Sequence, residues 1–491
     1  MIKSHIKQGL FASVLLLLLV PNIQKWFKVV DEKPLFGSFA KVEAITWDSL
    51  SYSSWLDGSF QTAMNEYVEA NIGFHASLVR VYNELRFLTF KKAAAEGVIV
   101  GAEGELFEED YLRAATGEFF VGEDVWMAKA LQLKAVQDTL QKLGKYLLVV
   151  IEPGKGTLYA DRYPSKYSGK QPSMSNYVAM KSFFEAQGVH VIDFNSVFLN
   201  WKDQTPYRLF PRIGTHWSYY GASLAADSLL RHLKTVFPDR IHGFKALEAY
   251  EATQLRHPDD DIWLTMNLIR KAPIENIGYT NINFHPVPEN GLRLLTIGDS
   301  FYFNWLNQKV MLNSFADSHF WYYNKLVYNH IGAETGQMKD LNFSDELLKN
   351  DVILLMITER FHQNFAWGFD TRIYEHFFPG QIKRRDYFMN EVRIGNLDFI
   401  RIYNDARKNN MTLQHRLKLE AEYRMFSDWQ KHPEFYTNKD EVIDMMVMAI
   451  KGSPDWLASV QKKARERNIS DEEMLKLDAE WMYDQKYKTK E

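Results

Sequence analysis

Four apolar runs punctuate the middle of the chain: YLLVVIEP (146–153), VHVIDF (189–194), LRLLTIGDS (292–300) and DVILLMITE (351–359). Each is short, rich in Val, Ile and Leu, and continuous rather than alternating, the pattern of a strand buried on both faces. Between them the apolar spacing changes to that of a helix. Helices are expected over 123–143, in SNYVAMKSFFEAQG (175–188) and in THWSYYGASLAADSLLRHL (215–233), the last followed by a long irregular insertion. Strands alternating with helices predict an α/β fold, a parallel sheet between helical layers.

The flanks read differently. Residues 28–54 form a connector with strand-like pieces. Over 54–90 two amphipathic helices are expected, broken around Asn71–Gly73, one carrying Phe60, Met64, Tyr67 and Val68, the other Leu78, Val79, Tyr82 and Leu85. GVIVGAEGELF (97–107) reads as a hairpin with Gly101 and Gly104 at its turn. After about residue 403 the strands stop and the chain becomes helical and more charged. Ser453-Pro454 marks one helix start, and Ser470 with Glu473 a capping box at another. The expected division is 1–27, 28–403 and a helical C-terminal appendage, 404–491. The appendage reads as a charged bundle packed on the main domain or as a docking element for a partner.

The N-terminus, MIKSHIKQGLFASVLLLLLVPNIQKWF, places Lys3 and Lys7 before a charge-free run from Gly9 to Val20. That run alone has the length of a signal-peptide core, yet Pro21, Asn22, Ile23 and Gln24 follow instead of a small-x-small cleavage site. Extended from Ile6 to Phe27 it reaches spanning length, with Trp26 and Phe27 at the far interface. The reading is an uncleaved signal anchor; a cleaved signal peptide and a buried soluble helix are the alternatives. The basic end on the cytoplasmic side puts the body outside, facing the periplasm or cell exterior.

Composition narrows the chemistry. A length of 491 residues exceeds one ordinary core, and 46% hydrophobic and 14% aromatic residues are ample for a packed interior. A net charge of -4 gives no general pull toward nucleic acid. With no cysteine, disulfides, thiolate metal sites and cysteine nucleophiles are excluded. No H-E-x-x-H spacing is present, and GAEGELF lacks the Lys-Ser/Thr of a phosphate loop. No metal and no cofactor is expected.

Reactive groups in such sheets collect beyond the C-terminal strand ends. Ser300 in GDSFYFNW occupies one of these ends. A glycine before it permits a tight strand-to-helix turn, and a helix from Phe301 would aim free N–H groups at the serine oxygen. Gly-Asp-Ser alone is weak, occurring by chance in roughly one chain in ten of this length, and serine is equally a routine helix cap. A nucleophilic serine needs a base, most often histidine. Among 14 histidines, His216 differs: FPRIGTHWSYYGA sets it in a Gly/Pro-bounded loop at a helix entrance, beside Trp217, Tyr219 and Tyr220. A packed histidine of an aromatic loop is its plainer role.

Together, Thr215-His216-Trp217 with Gly221-Ala222, and Gly298-Asp299-Ser300-Phe301, resemble the alginate O-acetyltransferase family of the AlgJ/AlgX type, whose domain is SGNH-hydrolase-like. WLDGSFQTAMNEYVEANIGFHASLVRVYN, GELFEEDY, VVIEPGKGTLYADRYP and VILLMITERFHQNFAWGF look similar too, so the resemblance spans roughly residues 50–375. It implies an SGNH-hydrolase-like, flavodoxin-like fold and O-acetylation of an extracytoplasmic polysaccharide. Ser300 would carry the acetyl group as an ester with His216 as base. A membrane-bound O-acyltransferase partner would deliver acetyl groups from the cytoplasm.

One departure matters. The family's triad aspartate lies two residues before the histidine, where this chain has Gly214. Disabling that acid in a serine-protease triad costs about 10⁴-fold. Three outcomes follow: a Ser–His dyad, a substitute carboxylate (Asp299, Asp193 or Glu359, all near strand ends), or loss of catalysis. Arg360 is a candidate for an anionic or hydroxyl-rich sugar, or else an ion-pair partner of Glu359. Tyr322, Tyr323 and Asn324 are candidate groove residues, with core packing expected for at least one ring. Lys155 after a strand end faces either the crevice or solvent. The same Ser–His site would equally serve a polysaccharide acetyl-esterase. Without the acid, the chain reads as a non-catalytic glycan-binding scaffold subunit.

Overall fold

The computed structural model describes residues 2–37, 42, 45–169, 174–436 and 438–488. They fall into two units, one of residues 1–109, 210–215 and 252–275, the other of residues 110–209, 216–251 and 276–491.

The first unit opens with a helix, Ile2–Phe27, whose segment Lys7–Phe27 is long and apolar enough to cross a membrane. Among the described residues of the 28–54 connector there is no strand; part of that connector lies outside them. The two expected helices are Ser59–Asn71 and His75–Phe90, with the break at Ile72–Phe74. Their apolar periodicity, however, does not mark a buried face: Leu78, Tyr82 and Leu85 are each half or more exposed. The hairpin consists of β1 (Val98–Val100) and β2 (Leu106–Glu108), paired antiparallel. A small core of Leu106, Ile213, Ile262, Trp263 and Met266 packs beside it.

The second unit holds the sheet. Its strands are β3 (Tyr146–Glu152), β4 (Val191–Asp193), β7 (Arg293–Gly298), β8 (Asp317–Tyr322), β9 (Leu326–Tyr328), β10 (Glu334–Gln337) and β11 (Val352–Thr358). They are ordered β10-β9-β8-β7-β11-β3-β4. β8, β7, β11, β3 and β4 run parallel, while β9 and β10 add antiparallel, so the sheet is mixed rather than purely parallel. A separate antiparallel ribbon, β5 (Phe244–Glu251) with β6 (Gly278–Phe284), occupies what the sequence presents as an irregular insertion.

The continuous apolar runs become the central strands because both of their faces are covered. Every residue of β11 is buried, and Leu354 sits in register with Leu148 on β3 and Thr296 on β7. Side chains alternate between faces. Leu147, Val149 and Ile151 join one core with Trp126, Ala130, Leu133 and Leu140 of the helix Glu123–Lys142, whose spacing of three and four residues lines one helical face. The same core takes in Leu413, Leu417, Met425, Trp429, Val442 and Met446 from the C-terminal helices. At roughly 1.5–3 kcal/mol for each large apolar side chain buried, these residues tie the C-terminal helices to the sheet. The last strand ends at Thr358, earlier than the expected change near residue 403, and helices run from Phe369 onward.

Candidate active site

Ser300 lies at the C-terminal end of β7, one residue beyond Asp299 and two before the short helix Tyr302–Asn307. The ends of three strands converge there. The Tyr323 N–H just after β8 donates to Gly298 O at 2.9 Å. From the end of β11, Thr358 donates to the same Asp299 oxygen twice, from its N–H at 3.0 Å and its hydroxyl at 2.7 Å. The other Asp299 oxygen accepts the Phe301 N–H at 3.1 Å. Asp299, not Ser300, therefore closes the turn, and the serine oxygen is left for another partner. That partner is His216: its Nε2 stands 2.7 Å from Ser300 Oγ, and both residues are half-buried.

The expectation that the following helix would offer several free N–H groups to an oxyanion is not met. The helix has six residues, too short for much of a dipole. The N–H groups of Phe301, Tyr302 and Phe303 are taken by Asp299 Oδ1, Asp299 O and Ser300 O.

His216 is placed by its neighbours. The helix Tyr219–Val236 starts behind it, capped by Ser218, whose hydroxyl accepts from Gly221 N at 3.0 Å and donates to Arg208 O at 2.8 Å. Three hydrogen bonds then join this entrance to the serine turn. The buried Trp217 indole N–H donates to Phe301 O at 3.2 Å, Asn304 Nδ2 donates to Trp217 O at 3.2 Å, and Trp305 Nε1 donates to Ala222 O at 2.8 Å. The His216 ring also sits 4.9 Å from the Phe301 ring, centroid to centroid. Satisfied buried groups of this kind hold two loops in one relative position. Asn304 and Trp305 escape sequence reasoning, since both read as ordinary residues of an aromatic helix.

None of the three proposed substitute acids touches His216. Asp299 is occupied as described. Asp193 caps the helix Phe194–Trp201 and accepts from Lys181 Nζ at 2.7 Å, Tyr177 OH at 2.8 Å and Ser196 Oγ at 2.6 Å. These donors hold its carboxyl below the usual range, although burial opposes them. Glu359 accepts the Thr157 hydroxyl at 2.8 and 2.7 Å on its two oxygens. Burial pushes its pKa up to about 7, against the hydrogen bonds from Thr157 and Asn195. Glycine is required opposite it: a Cβ on Gly154 would lie 1.9 Å from Glu359 Oε2.

A fourth carboxyl, Glu152 at the end of β3, has no sequence signal beyond its strand. Burial, then the charge of Asp299, pushes its pKa well up. No donor among the described residues reaches either of its oxygens.

Gly214 is likewise tightly enclosed. A Cβ there would lie 2.7 Å from Asp259 O and 3.3 Å from Pro211 Cγ, so an aspartate does not fit without backbone movement.

The accessory residues divide. Tyr323, beside Asp299, is half-buried, and burial with the Asp299 charge raises its phenol while Arg360 opposes the shift. Tyr322 stacks on Tyr323 at 4.1 Å and against Phe303 at 5.2 Å, a packing role for one ring as expected. Asn324 is buried and donates to Trp367 O at 3.1 Å. Arg360 does not pair with Glu359; its guanidinium lies over the rings of Phe361 at 4.6 Å and Tyr111 at 5.0 Å. Lys155 is 1% exposed, neither a solvated loop lysine nor one open to a crevice. Among the described residues no cluster of His, Asp or Glu has metal-ligand geometry.

Comparison with known proteins adds a family. Residues 98–263 match the model described as "SGNH hydrolase-like domain, acetyltransferase AlgX"; the match includes His216 and stops short of Ser300. The chain is 26% identical over 176 residues to the probable alginate O-acetylase AlgJ of Pseudomonas putida, covering 35% of this chain and 43% of that protein. The matched stretch thus spans less than half of the relative's length. Among solved structures, the O-acetyltransferase domain of Pseudomonas putida AlgJ aligns over 57% of this chain and 99% of its own, at 17% identity and a TM-score of 0.36. Pseudomonas aeruginosa AlgX aligns over 53% and 55%, at 15% identity and a TM-score of 0.33. By sequence, the region around His216 is similar to SGNH hydrolase-like acetyltransferases of the AlgJ/AlgX type.

Proposed function

We propose that this chain is an O-acetyltransferase for an extracytoplasmic polysaccharide, working through a Ser300 acyl-enzyme. The observation that carries the reading is the 2.7 Å approach of His216 Nε2 to Ser300 Oγ at the C-terminal edge of the sheet. Two sequence segments 84 residues apart meet there, and hydrogen bonds between buried groups hold them.

His216 Nε2 accepts the Ser300 proton as Oγ adds to the acetyl carbonyl; the protonated imidazole then gives that proton to the leaving group. An acceptor sugar hydroxyl next gives its proton to Nε2 and attacks the acetyl ester, and the ester bond to Ser300 breaks as Nε2 passes that proton to Oγ. Of the N–H groups at the turn, that of Ser300 itself has no partner among the described residues, and it is the donor left for the oxyanion. The N-terminal helix tethers the body on the periplasmic or outer face of the membrane, and a membrane-bound O-acyltransferase supplies the acetyl group.

The test is intact-mass spectrometry of the full chain after incubation with an activated acetyl ester, with and without oligosaccharide acceptor. The expected result is an acetyl adduct on Ser300 that disappears in Ser300→Ala, is slowed at least 10²-fold in His216→Ala, and passes to the acceptor. Ester cleavage with no acetylated acceptor would make the chain an esterase; absence of any adduct or turnover would refute catalysis at this site.

A further inference from the structure

Beyond the strand ends, Tyr323 and Asn324 meet a second loop, Phe361–Gly368. Four consecutive-pair residues across this contact, Tyr323, Asn324, Ala366 and Trp367, have positive φ, at 51°, 53°, 48° and 48°, though none is glycine. Left-handed backbone at such residues is costly and persists where surrounding contacts over-determine it. Those contacts are present: Tyr323 lies 5.1 Å from the Trp367 ring, Phe361 lies 5.6 Å from it, and Asn324 donates to its carbonyl at 3.1 Å. The strain keeps the half-buried Trp367 at the border of two hollows. The smaller, about 270 Å³, is lined by Tyr323, Phe361 and Trp367; the larger, about 910 Å³, by Trp367, Arg372, Glu375, Glu391 and Tyr387 among others. Asn324, Trp367 and Ile394 line both.

The charges of the larger cavity are unequally satisfied. Arg384 pairs with Asp428. Glu391 accepts from Tyr387 OH at 2.8 Å and Glu375 from Gly380 N at 2.8 Å. Arg372 has no carboxylate partner among the described residues; its guanidinium lies 4.2 Å over the Phe343 ring and touches only the Met338 thioether, a weak acceptor. A half-buried guanidinium with five donors and no anion calls for one from outside. Carboxylates at Glu375 and Glu391 suit hydroxyl groups, and an indole face suits the C–H face of a sugar ring.

We propose that the cavity binds a carboxylate-bearing sugar of the acceptor polysaccharide, with its acid group on Arg372 and its ring face on Trp367. This site is distinct from Ser300; Tyr323, which packs on Trp367 and whose N–H bonds Gly298 O, links the two. The inference rests on the acetyltransferase reading for the identity of the chain it holds. A polymer seated there extends past Trp367 and Tyr323 toward the strand ends.

The experiment is calorimetric titration of the full chain with a uronic-acid hexasaccharide and with its carboxyl-reduced counterpart. Wild type binds the acidic form at least tenfold more tightly, as expected for one charge-assisted contact. Arg372→Gln abolishes that preference, Arg372→Lys keeps part of it, and Trp367→Ala weakens both by about tenfold. A preference that survives Arg372→Gln, or binding of neither oligosaccharide, overturns the proposal. Acetylation of Ser300 in the same wild-type preparation separates the two readings. An adduct without oligosaccharide binding removes only this site; binding at Arg372 without an adduct removes only the acetyl transfer.

Discussion

Replacing Glu359 by Gln should stabilise the protein at alkaline pH and leave it almost unchanged in acid. The carboxyl is fully buried, and its pKa rises from 4.5 to about 7, chiefly through burial. At about 1.4 kcal/mol per unit, that shift corresponds to roughly 3 kcal/mol. A raised folded-state pKa gives stability that is complete below the unfolded value near 4.5 and is lost as pH rises through 7. Glutamine keeps an acceptor for Thr157 and carries no charge, so the variant avoids the loss. Differential scanning calorimetry of both proteins from pH 4.5 to 8.5 measures the effect as a difference. Glu152, also raised, and His362, lowered to about 3 by burial, impose their own pH dependence. Those contributions are common to both proteins and cancel in the difference. The expected curve rises through neutral pH to a plateau of about 3 kcal/mol. A flat difference across that range would refute the assignment of a neutral-range titration to Glu359.

Three further substitutions address the site. Gly214→Asp, which places a carboxyl two residues before His216, should fail to speed Ser300 acylation and should lower stability by about 1–3 kcal/mol, the usual cost of overpacking. Thermal unfolding and adduct formation read the two effects, and a faster, equally stable variant would contradict the enclosure by Asp259 and Pro211. Trp217→Phe keeps most of the ring but leaves the buried Phe301 carbonyl without its indole donor, costing about 1–3 kcal/mol. Because it loosens His216 against Ser300, acylation should slow by up to about 10²-fold, measured by stopped-flow with a chromogenic ester. Thr358→Val removes the hydroxyl donor from buried Asp299 and keeps the N–H; urea unfolding should show a loss of about 1–3 kcal/mol.

What the sequence made legible follows from which physical signals are local. The strands β3, β4, β7 and β11 announce themselves because burial on both faces demands unbroken apolar runs. β8 does not: its pattern DSHFWY buries Ser318 and half-exposes His319, so neither alternation nor a continuous run marks it. The ribbon β5–β6 is harder still, since FKALEAYE is rich in helix-forming residues and only pairing with β6 makes it extended. His216 and Ser300 were legible as two motifs at predicted element ends, and the turn between strand and helix brings their tips together. The partners of the three candidate acids were not, because a carboxyl near a strand end in sequence says nothing of which donors claim it in space. Asp193 and Glu359 lie where predicted along the chain and are claimed by Lys181 and Thr157.

The local chemistry around Ser300 also explains why an aspartate directly before a candidate nucleophile need not act as an acid or base. Three donors, the Phe301 N–H and both Thr358 groups, point at the Asp299 carboxyl group. A carboxyl group so surrounded is fixed in position despite complete burial. Its function is geometric: one oxygen holds the N–H that follows Ser300, and the other holds the end of β11. The same two strand ends carry Ser300 on one side and Arg360 on the other, with Tyr323 between them through its bond to Gly298. Reaction geometry here is therefore built from buried hydrogen bonds at parallel strand ends, and Trp217, Asn304 and Trp305 extend the same principle to His216. Contacts of this kind give Ser300 and His216 a defined approach, 2.7 Å between Oγ and Nε2, before any ligand arrives.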